Sequence, residues 1–170
     1  MLRYFALELC TASLDQCYLP EKDPRKYKGL LPPEHEVFLQ MSEGLAFIHS
    51  KLMVHRSIKP ENVLISNTVP VLLKWSDFGL CKQANVRGTF PLSGIKEAQY
   101  WTAPEILCLM EEQQNFKAKD TEKKHGTIKS DVFALGLVFF TFLTNGLHMF
   151  GSKNLIVTNV LRGKATNLNS

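Results

Sequence analysis

Between residues 33 and 49 the apolar positions Val37, Phe38, Met41, Leu45 and Ile48 recur at steps of three and four. That is one stripe of an amphipathic helix, with Pro33 just inside its start. Upstream, residues 4–10 (YFALELC) are mostly apolar and run into polar Thr11–Ser13, the pattern of a buried strand entering a linker. Residues 19–33 (LPEKDPRKYKGLLPP) are polar and punctuated by proline, which predicts a surface loop. Two β-like runs, 62–65 and 71–75, enclose the turn residues Asn67, Thr68 and Pro70 and predict a hairpin. Residues 77–104 have little periodicity and predict a long loop; loops beyond ~12–15 residues inside compact domains are usually functional or disordered. A short helix follows from Pro104 to about Met110, then a polar, charge-balanced insertion over 111–126. Ser130 or Asp131 is expected to cap a helix from Val132 to Thr144, ended by Asn145-Gly146. That helix is apolar on every side, which predicts burial at the centre of a domain over residues 131–144.

Composition narrows the picture only slightly. With 45% hydrophobic and 21% charged residues the chain is globular, not intrinsically disordered, and 10 Gly and 8 Pro exclude collagen. A length of 170 residues suits one domain or a piece of something larger. The net charge is +4, but the densest basic stretches, 22–28 and 117–124, are mixed with acids. Without a basic stripe interleaved with aromatics, no direct nucleic-acid site is expected in this segment. Cys10, Cys17, Cys81 and Cys108 form no C-x-x-C pair and no metal-ligand spacing, as for thiols in a reducing compartment. The apolar run after Arg3 is broken by Glu8, so no signal peptide is read. The longest apolar run, 133–143, falls well short of the ~20 residues needed to span a bilayer. A soluble, cytoplasmic chain without a membrane segment is the expectation.

Three segments belong together: His55-Arg56-Ser57-Ile58-Lys59-Pro60-Glu61-Asn62 after the amphipathic helix, Ser76-Asp77-Phe78-Gly79 after the hairpin, and Ala103-Pro104-Glu105 closing the long loop. The set resembles the catalytic loop (55–62), the D-F-G metal loop and the A-P-E end of the activation segment (77–105) of eukaryotic protein kinases. Asp131, opening a helix with Gly136 inside it, adds a fourth point of agreement. The resemblance implies an α+β, mainly helical, protein-kinase-like fold that carries the hinge and most of the C-terminal lobe. Residues 1–18 would be the last strand of the first lobe, the hinge and a linker-helix start, and 19–170 a partial second lobe. It also implies ATP and Mg²⁺ as cofactors. Phosphoryl transfer needs positioning and charge neutralisation more than covalent chemistry. Asn62 and Asp77 offer hard oxygen ligands for Mg²⁺, and Lys59 a compact positive charge near the transferred group. His55 and Phe78 would align the loops by packing. Arg56 is a candidate partner for a phosphate on the long loop, and Asp131 would hold the catalytic-loop backbone.

Two positions depart from the family pattern. Ser57 stands at the catalytic position where kinases carry the base aspartate, and a hydroxyl cannot accept a proton at neutral pH. General-base catalysis is worth ~10²–10⁴-fold, so a loss of that size is expected. Ala98 stands where a threonine usually bonds that aspartate and Lys59, so both ends of one hydrogen bond are missing together. A pseudokinase is therefore preferred over an active Ser/Thr kinase, with an incomplete fragment lacking independent function as a third reading.

The flanks are narrower still. Ala6-Leu7-Glu8-Leu9-Cys10, Asp77-Phe78-Gly79-Leu80-Cys81-Lys82, Trp101-Thr102-Ala103-Pro104-Glu105 and Gly146-Leu147-His148-Met149-Phe150-Gly151 are similar to the inositol-requiring sensor kinase/endoribonucleases of the unfolded-protein response. That resemblance implies backbone contacts from Glu8 and Cys10 to adenine, a polar residue at Asp15 within reach of the ribose, and Ser93 as a phosphorylation candidate. It further implies a protein substrate or self-phosphorylation, a possible homodimer, and the cytosolic face of the endoplasmic reticulum if the parent has the family's membrane span. No segment here matches the family's ribonuclease domain or its glycine-rich phosphate-covering loop. The length reads as the middle of a kinase domain, cut at both ends.

Overall fold

The computed structural model describes residues 7–92, 100–115 and 125–168. In chain order its elements are β1 (Cys10–Ser13), α1 (Glu34–Ser50), β2 (Met53–Val54), β3 (Val63–Ser66), β4 (Leu73–Trp75), β5 (Lys82–Gln83), β6 (Thr89–Pro91), α2 (Pro104–Asn115), β7 (His125–Thr127), α3 (Lys129–Leu143) and α4 (Ile156–Leu161). The architecture is α+β, with most of the regular structure in helices.

Pro33 immediately precedes α1 rather than lying inside it, and Glu34 and Glu36 place negative charge in the first turn, where the helix dipole favours it. Val37, Met41, Leu45 and Ile48 are buried, as their spacing predicts, and Phe38 packs at the edge of the same cluster. The hairpin forms between β3 and β4, with Val63 opposite Trp75 and Ile65 opposite Leu73. β1 adds to the other edge, giving the antiparallel order β1-β3-β4. Trp75 Nε1 donates to Met41 O at 2.9 Å, and Leu73 N to Gln40 Oε1 at 2.8 Å, which ties the sheet to α1.

The first strand is displaced from its expected place. Leu7 and Leu9 are 89% and 81% exposed, and pairing starts only at Cys10, opposite Ser66. A strand exists where a neighbour offers hydrogen bonds, and β3 offers them only to residues 10–13. Residues 4–6 lie outside the described residues. The expected loop over 77–104 is also interrupted. A helical turn spans Phe78–Leu80, β5 pairs with β2, and β6 pairs with β7. Strands this short carry too few positions for alternation to be visible.

The expected helix at 104–110 continues to Asn115. The predicted insertion over 111–126 therefore opens in α2 and closes in β7, and its residues 116–124 lie outside the described residues. Neither Ser130 nor Asp131 caps α3. The cap position is Ile128, Ser130 Oγ donates to Thr127 O at 2.8 Å, and Asp131 sits within the first turn. Asn145-Gly146 does end the helix. Gly146 has φ +102°, and a Cβ there would lie 2.8 Å from Tyr18 Cβ, so glycine is required twice over.

Three hydrophobic clusters form the core. The first joins α1, the sheet and the Ala134, Leu135 and Val138 face of α3. The second gathers Val54, Phe90, Leu92, Ala103, Ile106 and Met110. The third joins Leu107, Leu137, Phe150, Ile156 and Val160. α3 thus serves all three clusters with different faces, Phe133 packing against the second and third, which explains much of its all-round apolar character. It is not buried on every side, however: Val132 and Leu143 are 54% and 56% exposed.

Candidate active site

Residues 55–62 leave β2, turn at Pro60–Asn62 and enter β3, while Asp77 lies just past β4, after Ser76. Because β3 and β4 are hydrogen-bonded neighbours, the hairpin sets the two loops side by side. The loops are then stitched together. Asn62 O accepts from Ser76 N at 2.9 Å and from Ser76 Oγ at 3.1 Å. His55 Nε2 donates to Ser76 O at 2.9 Å, and His55 Nδ1 accepts from Ser57 N at 3.3 Å. A carbonyl can only accept and an N–H only donate, so these two bonds fix a neutral imidazole with its proton on Nε2. Burial lowers the pKa of His55 and favours the same form. The ring packs against Phe78 (centroids 5.1 Å apart) and Trp75 (5.9 Å), so both residues do align the loops by packing.

Asp131 anchors this assembly from α3. Its side chain is 2% exposed. Oδ2 accepts from His55 N at 2.8 Å and pairs with His49 Nε2 at 2.9 Å, and Oδ1 accepts from Arg56 N at 2.9 Å. Arg56 has φ +64°, a left-handed conformation that costs a non-glycine residue about 1–2 kcal/mol. Two charge-assisted hydrogen bonds onto consecutive amides offset that cost. His49 was not singled out from the sequence, where it reads only as a helix-terminal residue. Its position in the last turn of α1, facing the same carboxylate as the loop, depends on how α1 and α3 pack. Arg56 Nε donates to Leu80 O, and its guanidinium lies 5.8 Å from the Phe90 ring centre. Cys81 Sγ lies 3.6 Å from His55 O, and burial pushes its thiol up to about 11, so it stays protonated at neutral pH.

Ser57, Asn62 and Asp77 form one polar cluster. Ser57 is 3% and Asn62 7% exposed, whereas Asp77 is open to solvent. Asn62 Nδ2 lies 2.7 Å from Ser57 O, 2.8 Å from Ser57 Oγ and 3.4 Å from Asp77 Oδ2. Ser57 Oγ donates to Asp77 Oδ2 at 3.4 Å. Asp77 adopts φ +59°, a left-handed position that aspartate tolerates better than most residues. Lys59 is half-buried, with extended backbone ahead of the Pro60–Asn62 turn.

A magnesium-type cation can be tested against these donors. Among the described residues no group of three His, Cys, Asp or Glu side chains could hold a metal. One exposed carboxylate beside a carboxamide does fit a hard cation that keeps most of its water and takes the rest of its ligands from phosphate.

Other predicted site residues lie apart from this cluster. Glu8 is exposed, and its carboxylate pairs with Lys74 Nζ. Cys10 begins β1 opposite Ser66, at the far end of β3 from Asn62. Asp15 Oδ1 accepts from Ser13 Oγ, and Gln16 Oε1 accepts from Ser13 N at 2.8 Å, so both belong to the start of the Leu14–Tyr18 turn. Ser93 and Ala98 lie outside the described residues. No described helix is long and apolar enough to cross a membrane.

Residues 3–167 match the protein kinase domain. The chain belongs to that family. Within it, the kinase domain is 39% identical over 167 residues to the human serine/threonine-protein kinase/endoribonuclease IRE2, covering 94% of this chain and 16% of that protein. It is 33% identical over 171 residues to the Caenorhabditis elegans serine/threonine-protein kinase/endoribonuclease ire-1 (96% and 16%). It is 35% identical over 179 residues to the Schizosaccharomyces pombe sensor for unfolded proteins in the ER, ire1 (94% and 16%). This kinase chain spans about one sixth of the length of those curated relatives. It is a kinase domain related to unfolded-protein-response sensors.

Proposed function

We propose that this chain is part of a stress-sensor-type serine/threonine kinase domain that binds ATP with Mg²⁺ and whose phosphotransfer is weakened or lost. The observation that carries the reading is Ser57: at the family's base position stands a hydroxyl that is 3% exposed and bonded into the Asn62–Asp77 pair. It has neither the charge nor the exposure to take a proton from a substrate hydroxyl. Asn62 and Asp77 would hold the cation and Lys59 would face the phosphates. A bound magnesium ion supplies charge neutralisation for the triphosphate. Cys10 and Asn62 are separated by the four residues of β3, roughly 13 Å at ~3.3 Å per residue, a distance an extended nucleotide can bridge. In this reading Glu8 and Cys10 contribute backbone groups to adenine, and Ser93 is an acceptor of regulatory phosphate. Any remaining phosphotransfer would go to itself or to a protein substrate, on the cytoplasmic side and in a homodimer.

The competing reading, an active kinase, draws on Lys59, Asn62 and Asp77, all of the expected type. Incubation with magnesium and γ-labelled ATP separates the two. The expected result is Mg²⁺-dependent nucleotide binding that Asp77→Asn abolishes, with little or no label on protein. Label transfer by the wild type that disappears in Asp77→Asn establishes the active kinase instead.

A further inference from the structure

We infer that Ser57 is a positioning residue for the cation pair: its buried hydroxyl, at the position of the missing base, takes a hydrogen from the Asn62 carboxamide and gives one to Asp77, which fixes how both side chains face the cation. The inference rests on the reading that Asn62 and Asp77 hold a divalent cation, and concerns what orients them.

Asn62 Nδ2 carries two hydrogens and has three acceptors in reach. The two short contacts, to Ser57 O at 2.7 Å and Ser57 Oγ at 2.8 Å, take both. Asp77 Oδ2, at 3.4 Å from Nδ2, then receives its hydrogen from the Ser57 hydroxyl. Ser57 Oγ therefore accepts from one member of the pair and donates to the other, a relay that a carboxylate at this position could not provide, since it has no hydrogen to give. Its consequence is an ordering of atoms. The donors of the cluster are turned onto Ser57, and Asn62 Oδ1 and Asp77 Oδ1 take no hydrogen bond among the described residues. Those two oxygens are the hard ligand atoms a cation needs.

Without the hydroxyl, the carboxamide loses its second acceptor and Asp77 Oδ2 its donor. The amide is then free to turn toward the carboxylate and spend its hydrogens there. Outer-shell partners of metal ligands typically change affinity ~10–100-fold. Burial of Ser57 holds the geometry, because a side chain 3% exposed has water excluded from competing for either bond.

The test uses Mn²⁺ alone as probe, titrated into the whole chain and followed by electron paramagnetic resonance of the free ion, beside thermal unfolding without metal. Ser57→Ala is expected to weaken the Asp77-dependent Mn²⁺ site by about tenfold, and Ser57→Thr, which keeps the hydroxyl, to stay within about twofold of wild type. Ser57→Cys keeps the volume but is a poor hydrogen-bonding partner; it should match Ser57→Ala, and it serves if the alanine variant does not fold. Unfolding midpoints without metal should be similar in the variants that fold, which a merely structural serine would not allow. Wild-type affinity in both Ser57→Ala and Ser57→Cys overturns the inference and leaves the cation reading in place. Wild-type protein with no Mn²⁺ binding sensitive to Asp77→Asn overturns that reading, and the inference with it.

Discussion

Asp131 is where single-residue chemistry is most concentrated. One carboxylate receives bonds from His55 N, Arg56 N and His49. Asp131→Ala leaves two buried amides without an acceptor and Arg56 in a left-handed conformation with nothing to hold it. The expected loss is about 3–5 kcal/mol of stability, read as a lowered urea midpoint with unchanged slope. Asp131→Asn, which keeps one acceptor oxygen, should lose less. An alanine variant as stable as wild type would show that the loop is held by its other contacts to Ser76 and Leu80.

Among the elements, the β6–β7 ribbon is the most sensitive to side-chain volume. Gly126 is buried in it, and a Cβ there would sit 2.5 Å from Phe90 Cζ and 2.8 Å from Ile106 Cδ1, inside the second hydrophobic cluster. Gly126→Val should therefore destabilise by about 1–3 kcal/mol through overpacking, and Phe90→Leu introduced alongside should recover part of it. A thermal-unfolding comparison of the single and double variants checks both. This ribbon was also the least legible part of the sequence. α1 and the hairpin were readable because each carries its own pattern, a 3.6-residue stripe in one and turn residues between β-rich runs in the other. β5, β6 and β7 are two or three residues long, and their partners lie far along the chain. They are created by tertiary contact and leave no local signature. For the same reason α3 misled: a helix that feeds three clusters looks, in one dimension, like a helix buried on all sides. The site residues followed the opposite rule. Lys59, Asn62 and Asp77 could be picked out as candidates because their types and spacing match a known set, and Ser57 because it breaks that set at a fixed position. The bonding of Ser57 to both Asn62 and Asp77 could not, because it depends on the two loops meeting.

For the molecule as a whole, pH acts through its buried imidazoles. Burial lowers the pKa of both His55 and His148 below the ordinary 6.5. Below about pH 6.5 the unfolded chain takes up protons that these folded histidines refuse. Their contribution to stability is thus complete above that pH and is lost as pH falls toward their folded values. Asp23, held at about 2 by Arg25, titrates far below this window. Urea unfolding at pH 7.5, 6.5 and 5.5 should show a decline confined to the lower interval, and His148→Gln should flatten part of it. A stability independent of pH between 7.5 and 5.5 would contradict neutral, buried imidazoles at these positions.

The three-way anchorage on Asp131 also has a consequence in time. The loop at 55–62 cannot lift away without giving up both oxygens of Asp131 in α3, a carboxylate whose place is also fixed by His49 of α1. Small local fluctuations therefore have no route to expose the amides of His55 and Arg56. Their deuterium uptake should be as slow as the slowest in the chain and should track global unfolding across denaturant concentrations, whereas the amides of the exposed stretch at Leu7 and Leu9 exchange at once. The part of the fold that carries the chemistry is in this sense its slowest clock.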